Sequence, residues 1–371
     1  LRIQFQFEKS RLAFDHPARI ITCHEPQKLK FAFNEVERAL DRGLTVAGFL
    51  SYEAGYAFEP KFDFKKASGF PLVHFGCYEQ PAKNFDLSPA SPDPLNITDL
   101  SINMTREEYD ANINRIRDYI AAGDVYQITY CLKTRFGFRG DPIQLYRTLL
   151  REQPVPYASY IETDERTILS LSPEMFLKKK GGHITTKPMK GTWPRGKGLW
   201  SDLMNRRIFG NDEKNRAENI MIVDLLRNDL GKLGKDIRTP KIYEVTPYKT
   251  LFQMTSTVTG KIDQNIKVYD LFKAIFPSGS VTGAPKIRAM EIIRDIEKED
   301  RKIYTGAIGY IRPNKDMFFN IPIRTFLLEK GRGELGIGGG IVWDSTPEGE
   351  WAEGMLKARF FTDLSKKDKA I

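Results

Sequence analysis

The chain has 371 residues, a formal net charge of +9, 41% hydrophobic residues and 28% charged residues. That length suits two or three domains or one large composite core, and the balance excludes a disordered or collagen-like chain. No apolar run approaches the roughly 18 residues of a membrane-spanning helix, so no membrane partner is expected. The basic excess is scattered, with short runs only at 178–180 and 366–369 and no interleaved aromatics, so nucleic-acid binding is not expected either.

Residues 1–7 alternate, with Leu1, Ile3, Phe5 and Phe7 on one side and Arg2, Gln4 and Gln6 on the other, which predicts a half-buried strand and not a signal peptide. The chain begins at Leu1 and not at a methionine, which leads us to expect a missing N-terminal stretch. A helix is predicted around 29–40 and a strand over 45–51. Residues 80–100 hold Pro81, Pro89, Pro92 and Pro94 among Asp, Asn and Ser, a composition expected to form a connector between regions 1–100 and 101–371. Beyond it, Thr105 three residues before Glu108 is a capping box, and Tyr109, Ile113, Ile116 and Ile120 continue a helix over 105–122. The remainder mixes hairpin-like strands with a few helices. It lacks the regular strand–helix repeat of a doubly wound sheet and shows no internal repeat, so α+β with largely antiparallel sheet is expected.

Cys23, Cys77 and Cys131 lie far apart with no C-x-x-C pair, which suits a reducing compartment and a cytoplasmic protein. His16, His24, His74 and His183 cluster neither with cysteines nor with one another, so zinc is not expected.

Chemistry concentrates in the C-terminal two thirds. Segment 167–192 reads as two strands around a Gly181–Gly182 turn, a register that sets Lys180 opposite His183 and Glu174 opposite Met189. Glu174 and Lys190 then share one end of the hairpin, unless Pro188 distorts it. They form either a surface ion pair worth at most ~1 kcal/mol or a catalytic acid and amine.

Residues 215–230 form a predicted helix capped by Gly231, with Glu218 on the face of Met221, Ile222 and Leu225. A carboxylate there is paired, protonated, metal-bound, or merely at the exposed first turn. Ser345 or Thr346 caps a second helix, with Pro347 early in it and Glu350, Glu353 and Lys357 on one face. With Glu218, these carboxylates make an oxygen-only set suited to Mg²⁺. The alternative is an ordinary Glu-to-Lys pair on a solvated face.

The run PSGSVTGAPK at 277–286 leads into a helix with Pro285 near its first position, where free N–H groups attract carboxylate or phosphate. It is not a P-loop, because Ala284 and Pro285 separate Gly283 from the lysine. A second cluster, Gly336, Gly338, Gly339 and Gly340, lets backbone approach a ligand closely or serves the fold alone.

Taken in order, these segments resemble the chorismate-utilising enzymes, whose branches include anthranilate, aminodeoxychorismate, isochorismate and salicylate synthases. The resemblance rests on SPEMFL at 172–177, PMKGT at 188–192, RAENIMIVDLLRNDLG at 216–231, SGSVTGAPK at 278–286, YTGAIGY at 304–310 and GGGIVWDSTPEGEW at 338–351. The run GFLSYEAGYAFEP at 48–60 is similar to the family's N-terminal region. The resemblance implies a complex α+β sandwich of largely antiparallel sheets with outer helices, of the anthranilate synthase component I kind. Residues 1–100 would be the N-terminal region with its linker and 101–371 the chorismate-binding catalytic region.

It further implies Mg²⁺ held by Glu218 and Glu353 with Glu350 in support, and Glu174 as the general acid for the departing C4 hydroxyl. Thr192, Gly283, Tyr304, Arg324, Gly338 and Lys357 would meet the substrate. Chorismate is a dianion, and these cationic and backbone groups would counter its charge.

Two positions distinguish the branches. Where the hydrating branches carry a water-activating lysine, within GDVYQITY at 123–130, this chain has Gln127, a neutral amide that cannot be that base. Lys190 in PMKGT is the mark of the aminodeoxychorismate synthase component I branch, where anthranilate synthases usually carry alanine. By that resemblance Lys190 attacks C2, ammonia enters at C4, and a glutamine amidotransferase partner supplies the ammonia. None of the three cysteines sits in a nucleophile-elbow context, so no amidotransferase is expected within the chain. The rivals are an anthranilate synthase component I and a non-catalytic anion- or nucleic-acid-binding protein. One departure stands out: QMTST at 253–257 puts Gln253 where many members have histidine, and an amide cannot exchange a proton at neutral pH.

Overall fold

Alternating strands separated by tight turns pair into two large sheets. The computed structural model describes residues 1–62, 69–82, 87–88, 95–248 and 251–367, and in it one sheet has nine strands and the other ten. Every strand pairing among the described residues is antiparallel. The sheets stack through their apolar faces. Phe5 and Phe7 of the nine-stranded sheet meet Tyr310 and Phe318 of the other, with Phe7 and Phe318 ring centroids 4.9 Å apart.

Helices bury the two outer faces. Tyr109, Ile113 and Ile116 of helix Arg106–Ala121 join Ala358 and Phe361 of helix Pro347–Lys367 over Ile128, Phe136 and Ile337 of the nine-stranded sheet. Leu29, Phe33 and Val36 of helix Leu29–Asp41 and Ile222, Val223 and Leu226 of helix Glu213–Gly231 cover Val46, Leu177 and Phe319 of the ten-stranded one. This is the expected α+β sandwich with outer helices. No helix among the described residues is long and apolar enough to cross a membrane.

Several local readings hold. The capping box is complete, with the Glu108 N–H donating to Thr105 Oγ1 at 3.2 Å and the Thr105 N–H to Glu108 Oε2 at 2.9 Å. Thr346 is the residue that caps the last helix, accepting from the Gly349 N–H at 3.2 Å.

Others need correction. Gly231 is the last helical residue and not a left-handed cap, since the cap falls on Lys232 in helical geometry. The expected connector at 80–100 falls partly outside the described residues, at 83–86 and 89–94, and its end belongs to a strand, Asn96–Ile102. The long strand Gln127–Arg139 supplies the ladder that composition alone did not foretell. Residues on both sides of position 100 share each sheet: Arg2–Phe7 pairs with Tyr157–Glu162, and Thr45–Leu50 with Ala307–Ile311.

The hairpin register opens as expected, with Lys180 opposite His183, but a bulge between Met175 and Lys178 shifts it so that Met175 faces Lys187. One extra residue on the first strand therefore moves Glu174 out of its expected pairing.

The functional residues gather where sheet margins meet. Gly283–Ala284 and Met189–Pro194 end the two sheets, and helix Glu213–Gly231 packs against both of them.

Candidate active site

Glu174 stands at the start of its strand with its backbone pinned. Its N–H donates to Ser172 Oγ at 3.1 Å, and its carbonyl accepts from the Ile321 N–H at 3.1 Å. Its side chain is 3% exposed. Burial pushes its carboxyl up to about 7, against the lowering pull of the Ser280 hydroxyl, the Lys190 amine and the Met189 N–H. That N–H reaches Glu174 Oε1 at 3.3 Å, so the bulge re-aims the pair without separating it.

Lys190 lies on the marginal strand Met189–Pro194, half-buried. Burial pushes its amine down, while Glu218 and Glu174 pull it back up. An amine so placed is easier to free of its proton than a surface lysine.

The glycine cluster forms the floor. A methyl group on Gly340 would stand 2.0 Å from Gln127 Nε2 and 2.8 Å from Lys190 Nζ. On Gly338 it would meet Cys131 Sγ at 2.8 Å and Tyr304 Oη at 3.2 Å, and on Gly339 Glu350 Oε2 at 3.0 Å. Strand geometry sends successive positions to opposite sides, so Gly338 and Gly340 serve the Tyr304, Gln127 and Lys190 side and Gly339 the helix side. Gln127 is fully buried, and neither of its amide atoms has a hydrogen-bond partner among the described residues. At Gly283, φ is +151° and a Cβ would lie 2.1 Å from the Gln127 carbonyl oxygen, so only glycine fits there.

The helix side carries the carboxylates. Glu350 accepts from Ser345 Oγ at 2.6 Å, yet burial holds its carboxyl above the ordinary value. Burial raises Glu218 too, against the pull of Lys190 and Lys214. Glu353 goes the other way, because Lys357 pairs with it at 2.8 Å and holds it low. Lys357 also donates to the Gly338 carbonyl at 2.9 Å, tying the last helix to the glycine strand.

Arg324, at a φ of 51°, has a guanidinium with no hydrogen-bond or ion-pair partner among the described residues. Burial pushes it down to about 10, with Tyr248 and Tyr304 opposing. A half-buried cation left without a partner among the described residues is ready for an anionic ligand.

The structure thus brings together Glu174, Lys190 and Glu218, with Glu350, Glu353 and Lys357 beside them and Gly283, Gly338, Tyr304 and Arg324 around. Thr192 is different: it stands exposed, opposite Gln253 on the neighbouring strand. Ser280 and Lys214 acquire positions that spacing did not single out, whereas Gly340 belongs to the glycine cluster already named. Lys214, four residues before Glu218 on one helix, had a readable signal in that interval. Ser280 had none, since its approach to Glu174 depends on the packing of distant segments.

Among the described residues, no three Asp, Glu, His or Cys side chains converge as a ready-made metal cage. The donor set still fits Mg²⁺, which takes one or two carboxylates and keeps several waters. All its donors are hard oxygens, and Glu218 and Glu350 are each raised in part by the other carboxylates, an imbalance a divalent cation would relieve.

The family of chorismate binding enzymes matches residues 4–363. The chain belongs to that family. It is 40% identical over 253 residues to the aminodeoxychorismate synthase component 1 of Klebsiella aerogenes, a match covering 68% of this chain and 56% of that protein. It is 38% identical over 259 residues to the anthranilate synthase component 1 of Aquifex aeolicus, covering 69% and 52%. The chain thus spans about half the length of the curated relatives it matches. The crystal structure of anthranilate synthase component I from Streptococcus pneumoniae superposes on this chain with a TM-score of 0.76 at 25% identity, over 96% of this chain and 89% of that one.

Proposed function

We propose that this chain is the chorismate-aminating component of an aminodeoxychorismate synthase, which makes 4-amino-4-deoxychorismate from chorismate and ammonia for folate biosynthesis. The observation that carries the reading is Lys190: an amine pushed down by burial, set between Glu174 and Glu218, in a site whose Gln127 offers no water-activating base.

In this reading the neutral Lys190 amine attacks C2 of chorismate. Glu174, protonated near neutral pH, gives its proton to the C4 hydroxyl, which leaves as water while both ring double bonds shift by one position. The lysine nitrogen sheds one proton, to the carboxylate that Glu174 has become, as it turns into a secondary amine. Ammonia then adds at C4, the bond between Lys190 and C2 breaks, and the lysine takes back a proton. Two displacements leave the new amine para to the ring carboxylate. Arg324, Lys357, Tyr304 and the backbone at Gly283 and Gly338 hold the two carboxylates. Glu218 and Glu353, with Glu350 in support, would hold Mg²⁺, which when bound supplies positive charge against a substrate carboxylate.

A glutamine amidotransferase partner supplying ammonia completes the reading. The free, buried Cys23, Cys77 and Cys131 suit a cytoplasmic setting. The near-equal identity to an anthranilate synthase component keeps ortho amination as the second reading.

The deciding experiment is product identification after incubation with chorismate, Mg²⁺ and ammonium. The expected product is 4-amino-4-deoxychorismate. Anthranilate would establish the second reading, and unchanged chorismate would exclude both.

A further inference from the structure

Arg301 is 2% exposed, and all five of its side-chain N–H groups are used. Nε and one Nη2 hydrogen go to the two Glu297 oxygens at 2.8 and 2.6 Å, which neutralises the buried cation. The other three go elsewhere: to the Val281 carbonyl at 2.8 Å, Thr305 Oγ1 at 3.3 Å and the Thr129 carbonyl at 2.6 Å.

Those three acceptors sit in three separate segments. Thr129 is two residues after Gln127, Val281 two before Gly283, and Thr305 adjoins Tyr304. The segments also touch directly, through the Thr129 N–H to the Thr282 carbonyl at 2.7 Å. Glu297 adds a fourth tie, accepting from the Cys131 N–H at 3.0 Å.

The N-terminal motif fixes Arg301 from behind. The Tyr52 ring lies 4.3 Å from its guanidinium, and Glu53 accepts from the Arg301 and Lys302 N–H groups at 2.7 and 3.1 Å.

We infer that Arg301 is a positioning residue for chorismate: its planar fork sets the spacing of the Gln127, Gly283 and Tyr304 segments, and through Tyr52 and Glu53 the N-terminal region shares in building the substrate site. This rests on the chorismate reading above. A fork is needed because three acceptors in different directions cannot all be met by one ammonium on a flexible stem.

The test is Arg301→Lys in the full chain, assayed over a chorismate series with Mg²⁺ and ammonium, alongside Glu297→Gln, which keeps Arg301 but weakens its hold. Arg301→Lys is expected to raise KM for chorismate about tenfold while kcat changes less than about twofold. The Mg²⁺ concentration for half-activity should not move. Hydrogen exchange should speed up in 278–285 and 303–306 and not in helix Leu29–Asp41. Glu297→Gln should shift KM in the same direction by less, and it carries the test if Arg301→Lys does not fold. Either variant, folded and with an unchanged KM, overturns the inference, as does a fall in kcat alone. If the unsubstituted protein neither binds nor consumes chorismate, the functional reading fails and this one falls with it.

Discussion

Glu174 and Glu353 are the same side chain in opposite surroundings. On the sheet margin, burial with only weak opposition pushes Glu174 up to about 7, so it holds a proton near neutrality. On the last helix, an ion pair to Lys357 keeps Glu353 low and charged. In the proposed reaction the difference would separate two tasks: a dry side where protons and an amine are poised for transfer, and a charged side suited to a cation and to anionic substrate groups. Residue type decides neither role; the enclosure does.

Lys190→Ala breaks the dry side and has the largest expected effect. A lysine reaching toward substrate adds little packing beyond its stem, so the variant should fold and still bind chorismate. It should make no detectable 4-amino-4-deoxychorismate, with anthranilate a permitted leak through direct attack at C2. Mass spectrometry of the unsubstituted protein quenched with chorismate but no ammonia should show an adduct that the alanine variant lacks. Para product at an undiminished rate would remove the double displacement.

Breaking the charged side comes next. Glu218→Gln or Glu353→Gln should lower Mg²⁺-dependent turnover about a thousandfold, because in the proposed reading each would remove a carboxylate that holds Mg²⁺ against a dianion. Chelator should do the same to the unsubstituted protein. Should Glu353→Gln cost less than about twofold, its pair with Lys357 is an ordinary surface pair and the comparison collapses.

Glu174→Gln sharpens the comparison by removing the proton and keeping the shape. Loss of a general acid should cost on the order of 10² to 10⁴ in kcat. In the unsubstituted protein, activity should decline as pH rises through about 7, where Glu174 gives up its proton. Stability carries the same signature. A carboxyl whose folded value lies above its unfolded one favours folding fully below the ordinary carboxylate range and loses that contribution as pH rises through about 7. The 3% exposure of Glu174 places the loss at about 3 kcal/mol between pH 4 and 8. Denaturant titrations at those two pH values should show that difference in the unsubstituted protein, beyond what Glu174→Gln shows.

What was legible in the sequence was local. The Gly181–Gly182 turn set the first pairs of its hairpin, and the Thr105 capping box set a helix start, because partners three residues apart need no distant help. Glu218, Glu350 and Glu353 were readable as helix-borne carboxylates from spacing alone. The bulge in strand Met175–Lys180 was not, since it answers two neighbours at once: the Met317–Asn320 strand shifts register at the same place. Nor was the strand Asn96–Ile102, whose proline-rich approach hid a ladder supplied from elsewhere. The approach of Ser280 to Glu174 and the reach of Arg301 to the Thr129 and Val281 carbonyls belong to the same class. Their partners lie far away in sequence, and no periodicity records such contacts.

The smallest expected effect is a gain. Among the described residues Gln127 has no hydrogen-bond partner for either amide atom and it lies across Gly340 from Lys190, so it occupies the dry side without taking or giving a proton. Gln127→Lys would place a second amine beside Lys190. Two amines so close in a buried site do not both stay charged, and the neutral one can serve as a base toward water. Without ammonia, the variant should form isochorismate at on the order of 1% of the unsubstituted amination rate, since the new base is present but not oriented. Chromatography of ammonium-free reactions checks this. If the folded variant yields none, Gln127 does not decide between water and ammonia, and the selectivity of the dry side rests on Lys190 alone.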